Sequence, residues 1–125
     1  MILHLKSLDF EIAFFERIVT AAPDYVDALI ALAEAYTKKG FYEKGLLIDI
    51  RLSKLKKNDP VIFYNLACSY ALLRKTQEAV KALSKAIRLG YADFNHIRRD
   101  RDLKNLHSDP RFQKLISTQQ EKSCN

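Results

Sequence analysis

Three histidines, two cysteines and three glycines are the residues of this 125-residue chain with the types that metal binding, nucleophilic catalysis or phosphate recognition most often use. A metal centre or a nucleophile needs such groups gathered by local spacing or by the fold. His4, His96 and His107 are scattered along the chain, and neither Cys68 nor Cys124 has a second thiol nearby. Gly40, Gly45 and Gly90 stand too far apart for a phosphate-cradling loop, and no serine lies in a Gly-x-Ser-x-Gly elbow. Cys68 falls inside an apolar helical pattern and reads as a packed or groove-lining thiol. The expectation is a chain without catalytic residues, metal or cofactor, not an enzyme, whose work is done by its surfaces.

Those surfaces must be carried by helices. With 48% hydrophobic and 29% charged residues the chain can bury a core, and with three Gly and three Pro it is short of the turn residues an all-β protein needs. Its apolar stretches are interrupted well before the roughly 20 residues of a membrane span, so no membrane insertion is expected. The start, Met1–Lys6, is a poor secretory signal because Asp9 and Glu11 follow so soon, and the cysteine usage favours a reducing, cytoplasmic setting. The net charge of +6 is unevenly spread: residues 1–37 hold two basic and six acidic side chains, and residues 38–125 hold nineteen and nine. A basic surface of this kind steers acidic partners without naming one.

Residues 26–59 overlay residues 60–93 without a gap, a period of 34. Leu29, Leu32, Ala33 and Tyr36 take the places of Phe63, Leu66, Ala67 and Tyr70, a spacing that puts each set on one helical face. A second amphipathic stretch follows in each copy: Gly45, Leu46, Ile48, Leu52 and Leu55, then Ala79, Val80, Leu83, Ala86 and Ile87. Asp59-Pro60 offers an N-cap and a first-turn proline, Thr76 a second cap, and Gly40 and Gly90 two left-handed helix ends. The spacing predicts helices over 8–21, 25–39, 42–56, 60–73 and 76–89.

A large residue, Leu, Ala, Tyr, then Gly or Ala, repeated at 34 residues, resembles the tetratricopeptide repeat (TPR) family. The match is carried by Leu29, Leu32, Ala33, Tyr36 and Gly45, and by Phe63, Leu66, Ala67, Tyr70, Ala79, Leu83 and Ala86. Phe15, Ile18 and Pro23 fit the second helix of a preceding half-copy, and the run Asp109-Pro110-Arg111-Phe112 resembles the closing segment of many TPR chains. The resemblance implies an all-α, TPR-like superhelical stack of antiparallel helix pairs with a C-terminal helical cap. It would form a single domain over 1–118: a half-repeat at 8–21, repeats at 25–57 and 60–90, capping helices at 93–118, and a frayed tail at 119–125. Leu103, Leu106, Phe112, Leu115 and Ile116 are the residues expected to close the stack. Asp49 departs from the pattern, standing where the family has a large apolar residue. Either the helix rotates locally and turns Asp49 to water, or Leu47, Ile48 and Ile50 form an outer apolar patch.

The resemblance also implies a concave surface on which a partner peptide or helix lies. The positions that map onto it are Asp27, Ile30, Glu34 and Lys38 in copy one, Tyr64, Asn65, Cys68 and Leu72 in copy two, and Asn95, Arg98 and Arg99 in the capping region. Asn65 and Arg99 fall where chaperone-binding TPR domains hold a carboxylate, but Ile30, Glu34 and Asn95 replace the rest of that clamp. The expected partner is a protein or peptide. A second copy of the chain is the alternative, through Phe10 and Phe14 or through Leu47 and Ile50. The basic run from Lys38 to Lys57 lacks the interleaved exposed aromatics of single-strand binders, which disfavours nucleic acid.

Overall fold

The computed structural model describes residues 2–124, with side chains from Ser7 to Thr118. Among the described residues the chain forms seven α-helices, one 3-10 helix and no strand: α1 (Ile2–Ala21), α2 (Val26–Lys39), α3 (Tyr42–Leu55), α4 (Pro60–Leu72), α5 (Thr76–Arg88), α6 (Phe94–Arg99), the 3-10 helix Arg101–Leu106, and α7 (Pro110–Cys124). Two compact units divide the chain, Met1–Lys57 and Asn58–Asn125. Helix α7 runs past the expected cap boundary at 118, and the side chains of His4, Cys124 and the tail 119–125 lie outside the described residues.

In the first unit α2 packs against both α1 and α3. Its buried residues Ala28, Leu29, Leu32, Ala33, Ala35 and Tyr36 face both neighbours, and Ile12, Leu32, Ala35 and Tyr36 form a cluster sealed by Phe15, Val19 and Ile48. Burying a leucine as completely as Leu29 contributes about 1.5–3 kcal/mol. Gly45 allows the close approach of α3 to α2, because a Cβ there would stand 3.2 Å from Thr37 Oγ1 and 3.6 Å from the Ala33 carbonyl.

In the second unit α4 packs on α5 and on the 3-10 helix, and α5 also meets α7. Ala79, Ala82, Leu83 and Ala86 make the buried face of α5. Leu103, Leu106, Phe112 and Ile116 are buried and Leu115 is half-buried. Lys85 lies 4.3 Å over the Phe63 ring, and the Asn105 amide donates to the Ala71 carbonyl at 3.0 Å, a second donor on an oxygen at the end of α4.

The two turns repeat bond for bond. In the first, Gly40 and Phe41 donate to the carbonyls of Thr37 and Tyr36 at 3.0 and 2.8 Å; in the second, Arg74 and Lys75 donate to those of Ala71 and Tyr70, both at 2.9 Å. Gly40 has φ 89° and Arg74, 34 positions on, has φ 59°. Asp59 caps α4 by accepting from the N–H groups of Val61 and Ile62. Asp93, again 34 positions on, accepts from the N–H of His96 and caps α6.

Two local expectations are corrected. Thr76 is not a cap: Lys75 holds that position, with no side-chain bond, while the Thr76 hydroxyl reaches the Arg74 carbonyl at 3.4 Å. Asp49 is not turned to water, since only 5% of it is exposed and it shares the buried face of α3 with Gly45, Leu46 and Leu52. Leu47, two positions earlier, points outward instead.

Candidate functional site

Each unit carries its own set of candidate residues. In the first, Phe10, Glu11, Phe14 and Phe15 of α1 and Ala31, Glu34, Ala35 and Lys38 of α2 line a groove of about 300 Å³. Phe10 stacks on Phe14 at 6.4 Å between centroids, and Phe14 meets Phe15 edge-on at 5.2 Å. The ion pair of Lys39 with Asp9, 2.8 Å, and the bond from the Tyr36 hydroxyl to Glu16 tie α1 to α2. Burial, followed by that bond to a carboxylate, pushes the Tyr36 hydroxyl up to about 12.

In the second unit, the residues expected to line an open surface divide into two groups. Tyr64 and Cys68 are buried and already engaged, so neither is a free groove residue. The Tyr64 hydroxyl and the Cys68 thiol both donate to Asp100 Oδ2, the thiol at 3.8 Å, and His96 Nε2 stands 3.3 Å from the same oxygen. Tyr91 stacks flat on Tyr64, 4.3 Å between centroids and 2° between planes, while His96 lies tilted against it at 5.6 Å. The other oxygen of Asp100 accepts from the Asp102 N–H at 3.0 Å and so caps the 3-10 helix. Asn65 and Leu72 of α4 are half-buried; Asn95 and Arg99 of α6 are exposed, and Arg98 donates to Asn95 at 3.1 Å. In the first unit Asp27, Glu34 and Lys38 are exposed and Ile30 is half-buried.

One carboxylate thus receives two donors from α4 and stands against His96 of α6 while holding the 3-10 helix. The electrostatics follow. Burial, then the nearby Cys68, then the bond to Asp100 push the Tyr64 hydroxyl above the ordinary tyrosine range. Burial pushes the Cys68 thiol well up, reinforced by Asp100 and Asp102, and burial followed by Asp100 raises Asp102. Cys68, Asp100 and Asp102 offer ligand atoms within 4.8 Å of one another. A thiol held protonated is a weak ligand and a weak nucleophile, so this chemistry suits a brace between helices.

Sequence reasoning missed Tyr91, His96, Asp100 and Asp102 as one group with Tyr64 and Cys68. His96 read as one of three scattered histidines, and half of its side chain is exposed. The available signal was the recurrence of Asp59 as Asp93, which starts α6 and places Asp100 one turn beyond His96.

The described elements define an all-helical protein in which no described helix is long and apolar enough to cross a membrane. No family model matches the chain. Over 87 residues, 65% of its length, it is 34% identical to a chloroplastic protein of Arabidopsis thaliana. The chain spans about a quarter of the length of that relative.

Proposed function

We propose that this chain is a TPR-like interaction module, working by binding rather than by catalysis, that holds a segment of a partner protein against side chains carried by α4 and α6. The observation that carries this reading is the repetition of the α2–α3 hairpin turn in α4–α5, hydrogen bond for hydrogen bond at 34 residues. A helical hairpin repeated at that length supports the family resemblance, and stacked hairpins offer extended binding faces. The Asp100 network supports the location, since Tyr64 and His96 tie α6 to α4 and leave Asn65 and Arg99 on rigid elements. Asn65 has both a donor and an acceptor for a partner's backbone, and Arg98 and Arg99 select acidic side chains.

The test is selection from a random peptide display library on the wild-type chain, with counter-screening on Asn65→Ala and Arg99→Glu. Enriched peptides carrying acidic residues, bound at least about tenfold more weakly by each variant at unchanged helical circular dichroism, support the reading. Peptides bound equally by all three proteins, or no enrichment, overturn it.

A further inference from the structure

The α1–α2 groove of the first unit is open, and its lining sets the aromatic rings of α1 beside the charged Glu11, Glu34 and Lys38. Phe10 is 72% exposed and Phe14 49%, an aromatic pair that water ordinarily drives into a contact. Along α2, Asp27, Ala31, Glu34 and Lys38 follow one another at i, i+4, i+7 and i+11 and so share one face, acidic at its start and basic at its end.

A matching stripe exists on α3. Glu43, Leu47, Ile50 and Lys54 repeat the same spacing, again acidic at the start and basic at the end. Leu47 is 68% exposed, and Glu43 and Lys54 are exposed. Laid antiparallel, the stripes bring Asp27 to Lys54 and Lys38 to Glu43. In both stripes the charged ends are eleven residues apart, about 16 Å along the helix at 1.5 Å per residue. Between those ends Ile50 meets Ala31 and Leu47 meets the stem of Glu34, with the exposed Phe10 and Phe14 of α1 lining the same groove. Parallel docking would instead set Asp27 against Glu43 and Lys38 against Lys54.

Within one copy this pairing is closed off, because α3 already packs against α2 through Gly45, which faces Ala33, Tyr36 and Thr37. We propose that the α1–α2 groove of one copy receives the Glu43–Leu47–Ile50–Lys54 face of α3 from a second copy. The two surfaces differ, so the contact is heterologous, and a pair joined by it keeps one unused α3 face on the first copy and one unused groove on the second. Association of this kind grows with concentration and does not stop at a dimer.

Sedimentation equilibrium of the full chain from micromolar to millimolar tests it, with Phe10→Glu and Leu47→Glu beside the wild type. Both substitutions lie at well-exposed positions, and circular dichroism checks that each retains its helices. The wild type is expected to exceed the dimer mass at the highest concentration, and each variant alone to associate at least about tenfold more weakly. Mixed in equal amounts the variants are expected to form a dimer that grows no further, since the Leu47→Glu chain still offers a groove and the Phe10→Glu chain still offers α3. A wild type that is monomeric throughout overturns the proposal, whatever else binds the groove. So does a dimer disrupted by Phe10→Glu and untouched by Leu47→Glu, which is the signature of a symmetric aromatic contact, and so does a mixture that remains monomeric.

Discussion

Thr37 and Gly45 in the first hairpin occupy the positions of Ala71 and Ala79 in the second, and exchanging the pair measures how the close approach is divided between the two helices. A Cβ on Gly45 would stand 3.2 Å from Thr37 Oγ1, closer than ordinary van der Waals contact, and that hydroxyl is held by its 3.0 Å bond to the Ala33 carbonyl. Gly→Ala inside a helix is worth up to about 1 kcal/mol in propensity. In Gly45→Ala alone, displacing Thr37 offsets most of that gain, at about 0.5–1.5 kcal/mol for a side chain pushed off its rotamer. Thr37→Ala alone gains up to about 0.7 kcal/mol of propensity and loses about 0.8 kcal/mol for a buried methyl, leaving it near neutral. The double variant removes the clash and retains the alanine gain, so it is expected to be about 1 kcal/mol more stable than the wild type. The coupling between the sites should then be at least about 0.5 kcal/mol in the favourable direction. Urea denaturation of the four proteins, followed by far-ultraviolet circular dichroism and by tyrosine fluorescence to check that the transitions coincide, gives all the terms. If Gly45→Ala alone gains the full kilocalorie and Thr37→Ala adds nothing, the hydroxyl does not limit the approach.

Arg74→Gly is expected to stabilise the chain by about 0.5–1 kcal/mol, because only Arg74 among the described non-glycine residues has a positive φ and glycine adopts it without strain; a lower urea midpoint than the wild type contradicts this. Tyr64→Phe removes a hydrogen bond to the Asp100 carboxylate and should cost about 1.5–3 kcal/mol, against a change within about 0.5 kcal/mol for the exposed Arg99→Glu; equal midpoints for the two variants would place the network outside the stability of the fold. The bond from the Arg111 guanidinium holds the Asp109 carboxyl down at about 2, below the ordinary 3.8. Its contribution to stability is therefore present above that ordinary value and lost as the pH falls through about 2. Carboxyl NMR should follow that titration, and Arg111→Ala should move its midpoint upward.

The hairpins were legible because helical periodicity is local: Leu29, Leu32 and Tyr36 announce one buried face, and Asp59-Pro60 announces a helix start, from residues adjacent in sequence. Arg74 was not legible as a left-handed residue, since that conformation is imposed by the turn bonds of Ala71 and Tyr70 against the preference of its side chain. Thr76 misled because a hydroxyl near a helix start is a cap only one position earlier than it stands. Asp49 misled because its burial is decided by how α3 rotates as it packs, which leaves Leu47 outside. The Asp100 network escaped because its members are 32 and 36 positions apart and meet only after α6 and the 3-10 helix have turned the chain back on α4.

Asp59 and Asp93 each close the block before them by capping the helix that follows, so residues 60–93 form a cassette whose two joints have the same chemistry. Splicing a duplicate of the cassette after Asp93 would let Asp93 cap the duplicate's Pro60-Val61-Ile62 as Asp59 now caps α4, while the duplicate's own Asp93 would cap α6. Length in this protein is thus an adjustable quantity, set by how many cassettes lie between two aspartates.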